Sequence, residues 1–172
     1  IEEEVDSYGL TVPPYDDSGG RLGGASIMVW GTEEQKQTFL PPIFRGEVRT
    51  WQLLTEPEAG SDLANAKMSA ERDGDEYVIN GHKIWTSHAH HADFMFCLTR
   101  TDPDCKPQEG ISFILIDMTA PGIAVKPIIS IDGHHYLNEV FFDDVRVPFT
   151  NRIGEENKGW TYAKFLLGYE RT

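Results

Sequence analysis

The chain has 172 residues, 28 of them acidic and 15 basic, for a formal charge of −13. That balance excludes recognition of nucleic acid or of an anionic membrane surface through clustered Lys and Arg, but a small phosphorylated ligand can still be held by backbone N–H groups. With 40% hydrophobic and 11% aromatic residues the chain can bury one ordinary core, and its longest apolar run, near Ile111–Ile116, falls far short of the roughly 18 residues of a membrane span.

Residues 1–48 are mixed in character. The opening Ile1-Glu2-Glu3-Glu4 carries neither the basic nor the apolar region of a signal peptide. Asp16-Asp17-Ser18-Gly19-Gly20 reads as loop, and Gly23-Gly24 as a further break. Thr32-Glu33-Glu34-Gln35 has the form of a capping box, starting a short helix that Pro41-Pro42 is expected to end.

From residue 49 to 153 the signals are those of strands. Residues 67–72 and 76–80 alternate around Asp73-Gly74-Asp75, and Asn80-Gly81 predicts a second tight hairpin between Tyr77-Val78-Ile79 and Lys83-Ile84-Trp85. Further runs cover 93–100, 111–117, 123–129 and 138–142, separated by turns bearing Pro and Gly. Short strands at this spacing predict a mainly β fold, an antiparallel sandwich or barrel flanked by helical segments. In residues 154–172 the positions Trp160, Ala163, Leu167 and Glu170 fall on one face of a predicted helix. The chain lacks an initiator Met and ends at Tyr169-Glu170-Arg171-Thr172 inside that helix, so it reads as a piece of a longer protein. Cys97 and Cys105 read as two reduced thiols of a cytoplasmic protein.

The least ordinary stretch is Leu54-Thr55-Glu56-Pro57-Glu58-Ala59-Gly60-Ser61-Asp62, a polar, broken segment directly after the apolar Trp51-Gln52-Leu53. It belongs to an ordered series: Gly31-Thr32-Glu33-Glu34-Gln35-Lys36, this loop, Asn80-Gly81-His82-Lys83-Ile84-Trp85-Thr86-Ser87, Pro121-Gly122-Ile123, Phe141 to Pro148, Gly154 to Trp160, and Glu170-Arg171. The series resembles the acyl-CoA dehydrogenase family of flavoproteins over nearly all of the chain from about residue 23.

The resemblance implies the end of an N-terminal helical domain (1–48), a middle, flavin-binding β domain (49–153) and the start of a C-terminal helical domain (154–172). It implies FAD as cofactor and an acyl-CoA as substrate, oxidised to the trans-2-enoyl-CoA by removal of the α-proton and passage of the β-hydride to flavin N5. It further implies electron-transfer flavoprotein as electron acceptor and a homo- or hetero-oligomer, dimer or tetramer, in a bacterial cytoplasm. Alternatives within the same likeness are a non-catalytic partner subunit and an acyl-CoA oxidase. The truncated piece by itself is expected to be inactive.

By the same resemblance Thr55 bonds the flavin ring, with Gln52 and Leu54 beside it. Gly60 and Ser61 approach its phosphates, and Ser61 also meets the acyl-CoA near its pantetheine. Trp85 lies against the flavin and Ser87, a hydroxyl two positions on, near its reactive nitrogen. The commoner family pattern has Trp-Ile-Thr, and here it is Trp85-Thr86-Ser87. Glu170 stands where some branches place the catalytic base, and Arg171 where they bind CoA. The family often has Asp three residues before that Arg, whereas this chain has Gly168. No metal is expected: His88, His90, His91, His134 and His135 lack a carboxylate or Cys partner at a ligand spacing. They read as loop residues, His134 and His135 being the pair that could approach a substrate.

Overall fold

The computed structural model describes Tyr8 and residues 19–169, with side chains from residue 22 to residue 168. Seven strands form one sheet: β1 (Thr50–Leu53), β2 (Ser69–Asp73), β3 (Glu76–Ser87), β4 (Phe94–Arg100), β5 (Ile111–Asp117), β6 (Ile123–Ile129) and β7 (His135–Pro148). Helices α1 (Ala25–Trp30), α2 (Glu33–Phe44) and α3 (Gly159–Tyr169) flank it. The order along the sheet is β1-β4-β2-β3-β7-β6, with β5 on the other edge of β4. Most pairings are antiparallel, but β1 lies parallel to β4, as does one bridge from β2. The mainly β architecture with flanking helices is the one the sequence predicts.

β4 and β5 separate two apolar clusters. Met95, Cys97, Ile114 and Ile116 face the hollow of the curved sheet, with Trp51, Leu53, Tyr77, Ile79 and Val145. Phe96, Leu98, Phe113 and Leu115 face the other way, against Ile27, Ile43, Tyr162, Ala163 and Leu166. Strands buried on both faces carry near-continuous apolar runs, which explains Phe94–Leu98 and Ile111–Ile116. By contrast β7 alternates, one face buried and one open.

Several expectations are revised. Gly23-Gly24 does not break the chain. Gly19–Gly24 runs as a helical turn straight into α1, and Gly23 is needed because any Cβ there would collide with the Phe96 ring. The capping box at Thr32 forms as predicted, Gln35 N donating to Thr32 Oγ1 (3.1 Å) and Thr32 N to Gln35 Oε1 (2.9 Å). However, Pro41 and Pro42 lie inside α2 rather than ending it. Their carbonyls still accept from Arg45 N and Glu47 N, and Ile43 is drawn into the core, so one more turn forms.

The predicted hairpin at Asn80-Gly81 does not exist, because β3 passes through it without turning. Gly81, at φ +150°, lies so close to Met68 that a Cβ would sit 2.9 Å from the Met68 Cα. Asn80 bonds sideways across the ladder, its Nδ2 donating to Asp144 Oδ1 (2.9 Å) while Asp144 N donates to Asn80 Oδ1 (2.8 Å). The Asn-Gly pair thus serves a close crossing and a bulge rather than a turn.

The buried face of α3 is also rotated from the one expected. Gly159, Tyr162, Ala163 and Leu166 point inward, while Trp160 and Leu167 are only half-buried. A Cβ on Gly159 would lie 2.7 Å from the Ser112 carbonyl carbon, so the helix must turn its glycine to β5. Glu170 and Arg171 lie outside the described residues.

Candidate functional site: a loop and a bulged strand sharing one edge

Two compensating bulges shape the β3–β7 ladder. Between Ile79↔Val145 and Gly81↔Phe142 the extra residue is on β7; between Lys83↔Val140 and Thr86↔Asn138 it is on β3. The second bulge decides where Trp85 goes. Tyr77, Ile79 and Lys83 face inward at odd positions, and strict alternation would bury Trp85 with them. The inserted residue reverses the parity, so Thr86 turns in while Trp85 and Ser87 turn out. Trp85 adopts φ 61°, a conformation costing about 1–2 kcal/mol for a residue with a side chain, and its indole is 56% exposed. Surrounding structure must hold such an outlier in place, and outliers of this kind gather at ligand sites.

The loop after β1 is fastened to that strand. Ile84 N donates to the Thr55 carbonyl (3.0 Å), placing Thr55 beside Trp85. Beyond it the chain turns tightly over Pro57-Glu58, with Glu56 N donating to Ala59 O (3.1 Å) and Ala59 N to Glu56 O (3.0 Å). Gly60 and Ser61 follow on the exposed side, and a Cβ on Gly60 would meet nothing within 4 Å. No packing within the described residues therefore requires glycine there, whereas close approach of a ligand would. Gln52 and Leu54 flank the loop, half-buried.

Beneath the loop lies an ion pair that motif reading alone passes over. Lys83 is fully buried, and its Nζ donates to Glu56 Oε1 (2.8 Å), the Leu54 carbonyl (3.0 Å) and the Leu98 carbonyl (2.8 Å). Glu56 also accepts from Met68 N (3.0 Å) at Oε1 and Lys67 N (2.6 Å) at Oε2. Removing one partner of such a pair typically costs about 3–5 kcal/mol, because it strands the other charge in the interior. The sequence did hold a signal: Lys83 has the same strand parity as Tyr77 and Ile79, so a cation was due to point inward.

Behind the outer end of β3 the histidines pack together. The rings of His90 and His135 stack with centroids 3.9 Å apart, and His91 lies as near on another side of His90. Buried Asn138 joins them: its Oδ1 meets His135 Nε2 (2.7 Å), and its Nδ2 donates to the Thr86 carbonyl (3.0 Å) and meets His90 Nδ1 (3.1 Å). Burial, then the neighbouring His91 and His135, hold the His90 pKa below its ordinary value. Among the described residues no group of three or more His, Cys, Asp or Glu is arranged to hold a metal ion. His134 is exposed beside Asp132. Cys97 and Cys105 are both free thiols, and burial pushes that of Cys97 up to about 12.

The structure thus ties Thr55 to the strand that carries Trp85 and Ser87, with Gln52 and Leu54 just before Thr55 in the chain and Gly60 and Ser61 just after the turn. The profile of the acyl-CoA dehydrogenase middle domain matches residues 52–145. The chain belongs to the acyl-CoA dehydrogenase family.

Among its relatives, acyl-CoA dehydrogenase FadE29 of Mycobacterium tuberculosis is 43% identical over 148 residues, covering 86% of this chain and 38% of that protein. Acyl-CoA dehydrogenase IpdE1 of the same organism is 42% identical over 154 residues, covering 89% and 40%. Of solved structures, the Tcur3481-Tcur3483 steroid ACAD superposes with a TM-score of 0.87 at 39% identity, covering 98% of this chain and 43% of that one. The ChsE4-ChsE5 complex from M. tuberculosis gives 0.83 at 39% identity, with 98% and 42% covered. The chain therefore spans about two fifths of the length of these relatives. No helix among the described residues is long and apolar enough to cross a membrane.

Proposed function

We propose that this chain is the flavin-binding centre of a longer acyl-CoA dehydrogenase, which oxidises an acyl-CoA to its trans-2-enoyl thioester. The supporting observation is the shared edge: an exposed indole held at a strained φ beside a pinned Thr-bearing loop. A flat aromatic cofactor has a wall in Trp85, and Thr55, Gln52 and Ser87 offer polar groups along its rim. Gly60 leaves open space for a phosphate, which backbone N–H groups can hold without net positive charge, as an acidic protein requires. FAD fits this donor set; when bound, it supplies the two-electron acceptor.

In this reading residues 1–48 close an N-terminal helical domain, 49–153 carry the cofactor, and 154–172 open a C-terminal one. Thr55 and Ser87 orient the flavin, Ser61 and Arg171 meet the CoA, and Glu170 takes the α-proton. A carboxylate performs that task when a dry site raises its pKa toward the working pH. Electrons pass on to an electron-transfer flavoprotein. A second reading, a partner subunit of a hetero-oligomer, is favoured by the two-component structures that the chain resembles.

The test is anaerobic titration of purified full-length protein. It should be yellow, its flavin absorbance should bleach on adding an acyl-CoA, and Glu170→Gln should slow bleaching by at least 100-fold while leaving the flavin bound. A colourless protein after FAD reconstitution would end the flavin reading. A yellow protein whose bleaching ignores Glu170→Gln would move the base elsewhere.

A further inference from the structure

We propose that Lys83 is a positioning residue: its buried ammonium sets the orientation of the Leu54–Thr55 peptide and so the way the loop receives the flavin. This rests on the flavin reading above. The ammonium has three N–H donors, and all three are matched: Leu54 O, Glu56 Oε1 and Leu98 O. Two of these acceptors belong to the loop, and the third belongs to β4, in the apolar core. Lys83 therefore measures the loop against the most buried part of the sheet.

The consequence follows from peptide planarity. In a trans peptide the C=O and the next N–H point in opposite directions. With the Leu54 carbonyl turned onto the buried Lys83 Nζ, the Thr55 N–H is directed away from that ammonium. The next carbonyl, that of Thr55, is tied sideways to Ile84 N. Both peptides around Thr55 are thus fixed by β3, one through a side chain and one through the backbone. The same strand presents the indole, so wall and rim cannot drift apart.

Stability alone does not explain an ammonium here. Well-packed apolar residues of similar volume often match or exceed a buried ion pair. An apolar side chain would, however, place no demand on the direction of the Leu54 carbonyl. The choice of Lys over Met at this site is a choice of direction over burial.

The test compares Lys83→Met/Glu56→Gln with Glu56→Gln in the full-length protein. The double variant removes both charges, and the neutral amide that replaces the Glu56 carboxylate can still accept a backbone N–H from the Lys67–Met68 pair. The single variant keeps the bond from Lys83 to Leu54. Three readouts are taken: amide hydrogen exchange of residues 54–59, FAD dissociation, and the visible circular dichroism of the bound flavin. The double variant should still fold, with a thermal midpoint lowered by the loss of the donor to the Leu54 and Leu98 carbonyls; it should exchange residues 54–59 at least tenfold faster, release FAD at least tenfold more readily and change the flavin spectrum. Glu56→Gln, although less stable because it strands the ammonium, should stay within about threefold of wild type in FAD binding as long as it is folded. The proposal is overturned if the double variant keeps wild-type FAD affinity and spectrum, if Glu56→Gln loses as much as the double variant, or if the double variant fails to fold. A colourless wild type whose residues 54–59 still loosen in the double variant would sink the flavin reading while leaving the clamp on the loop standing.

Discussion

Replacing Gly81 by Ala tests the way β3 crosses the residues beneath the loop. Two penalties apply. The backbone stands at φ +150°, where a side chain is strained by about 1–2 kcal/mol. The new methyl would also lie 2.7 Å from Met68 Cγ and 2.9 Å from its Cα and Cβ; the Met68 backbone is anchored to Glu56 by its N–H and cannot step aside freely. Overpacking of that kind costs about 1–3 kcal/mol. Gly74→Ala is the control, since Gly74 also has positive φ (+62°) but open space around its missing Cβ. Both variants gain the same small entropic benefit from a stiffer unfolded chain, so it cancels in the comparison. Gly81→Ala should therefore lose about 2–5 kcal/mol against about 1 for Gly74→Ala. At about 3 °C per kcal/mol for a unit of this size, the two thermal midpoints should differ by roughly 3–12 °C. Equal midpoints would refute the close crossing and return Asn80-Gly81 to an open turn.

His90→Asn should flatten the dependence of stability on pH. The His90 pKa is held below its ordinary 6.5, so between that lowered value and 6.5 the unfolded chain binds more protons than the folded one, and wild-type stability falls as pH drops through this window; urea midpoints at pH 7.5 and 5.5 should converge in the variant. Tyr77→Phe should flatten the dependence in alkali. The Tyr77 hydroxyl donates to Glu156 Oε1 (2.6 Å) and its pKa is pushed up to about 12, by burial and then by Glu156. Its contribution is complete below pH 10 and lost as pH rises toward 12, so the variant should lack that decline and be weaker by about 1–2 kcal/mol at neutral pH. Gln35→Leu should cost about 2–3 kcal/mol in chemical denaturation, from half a capping box and two unpaired carbonyls, because Gln35 Nε2 donates to Thr150 O (2.6 Å) and Arg152 O (2.9 Å). A loss no greater than that of an exposed substitution would show that α2 is not tied to the segment following β7 through this side chain.

What can be read from the chain divides by range. The capping box at Thr32 is a matter of four consecutive residues, and the structure has it as predicted. Strands 94–100, 111–117 and 123–129 follow from apolar runs bounded by turns, and their limits come within a residue of expectation. The run expected at 138–142 is only the middle of the longer β7 (His135–Pro148); the other main departures are places where a distant segment overrides a local signal. Asn80-Gly81 is a strong turn signal, but Asp144 takes the Asn80 side chain and Met68 occupies the space beside Gly81. Pro41-Pro42 should end a helix, but Ile43 has a core to enter. The buried face of α3 differs from the periodic one because Gly159, which periodicity counts as neutral, lies directly against the backbone of β5.

The same division explains the site. Thr55, Trp85 and Ser87 stand out as residue types, yet no rule of alternation places Trp85 and Ser87 on the open face while Lys83 is buried. That takes one inserted residue in β3, and it is set by pairing with β7: Lys83 opposite Val140, Thr86 opposite Asn138. Asn138 then holds the Thr86 carbonyl from below, and Lys83 holds the Leu54 carbonyl. The two buried polar side chains on either side of the bulge therefore fix its two ends. A reader of the sequence sees an aromatic and a hydroxyl two residues apart; what makes them a shelf is that Lys83 and Asn138 have somewhere inward to point. Shifting the β3–β7 register by one residue would bury the indole and expose the ammonium. The outward Trp85 and the inward Lys83 are thus a single structural decision.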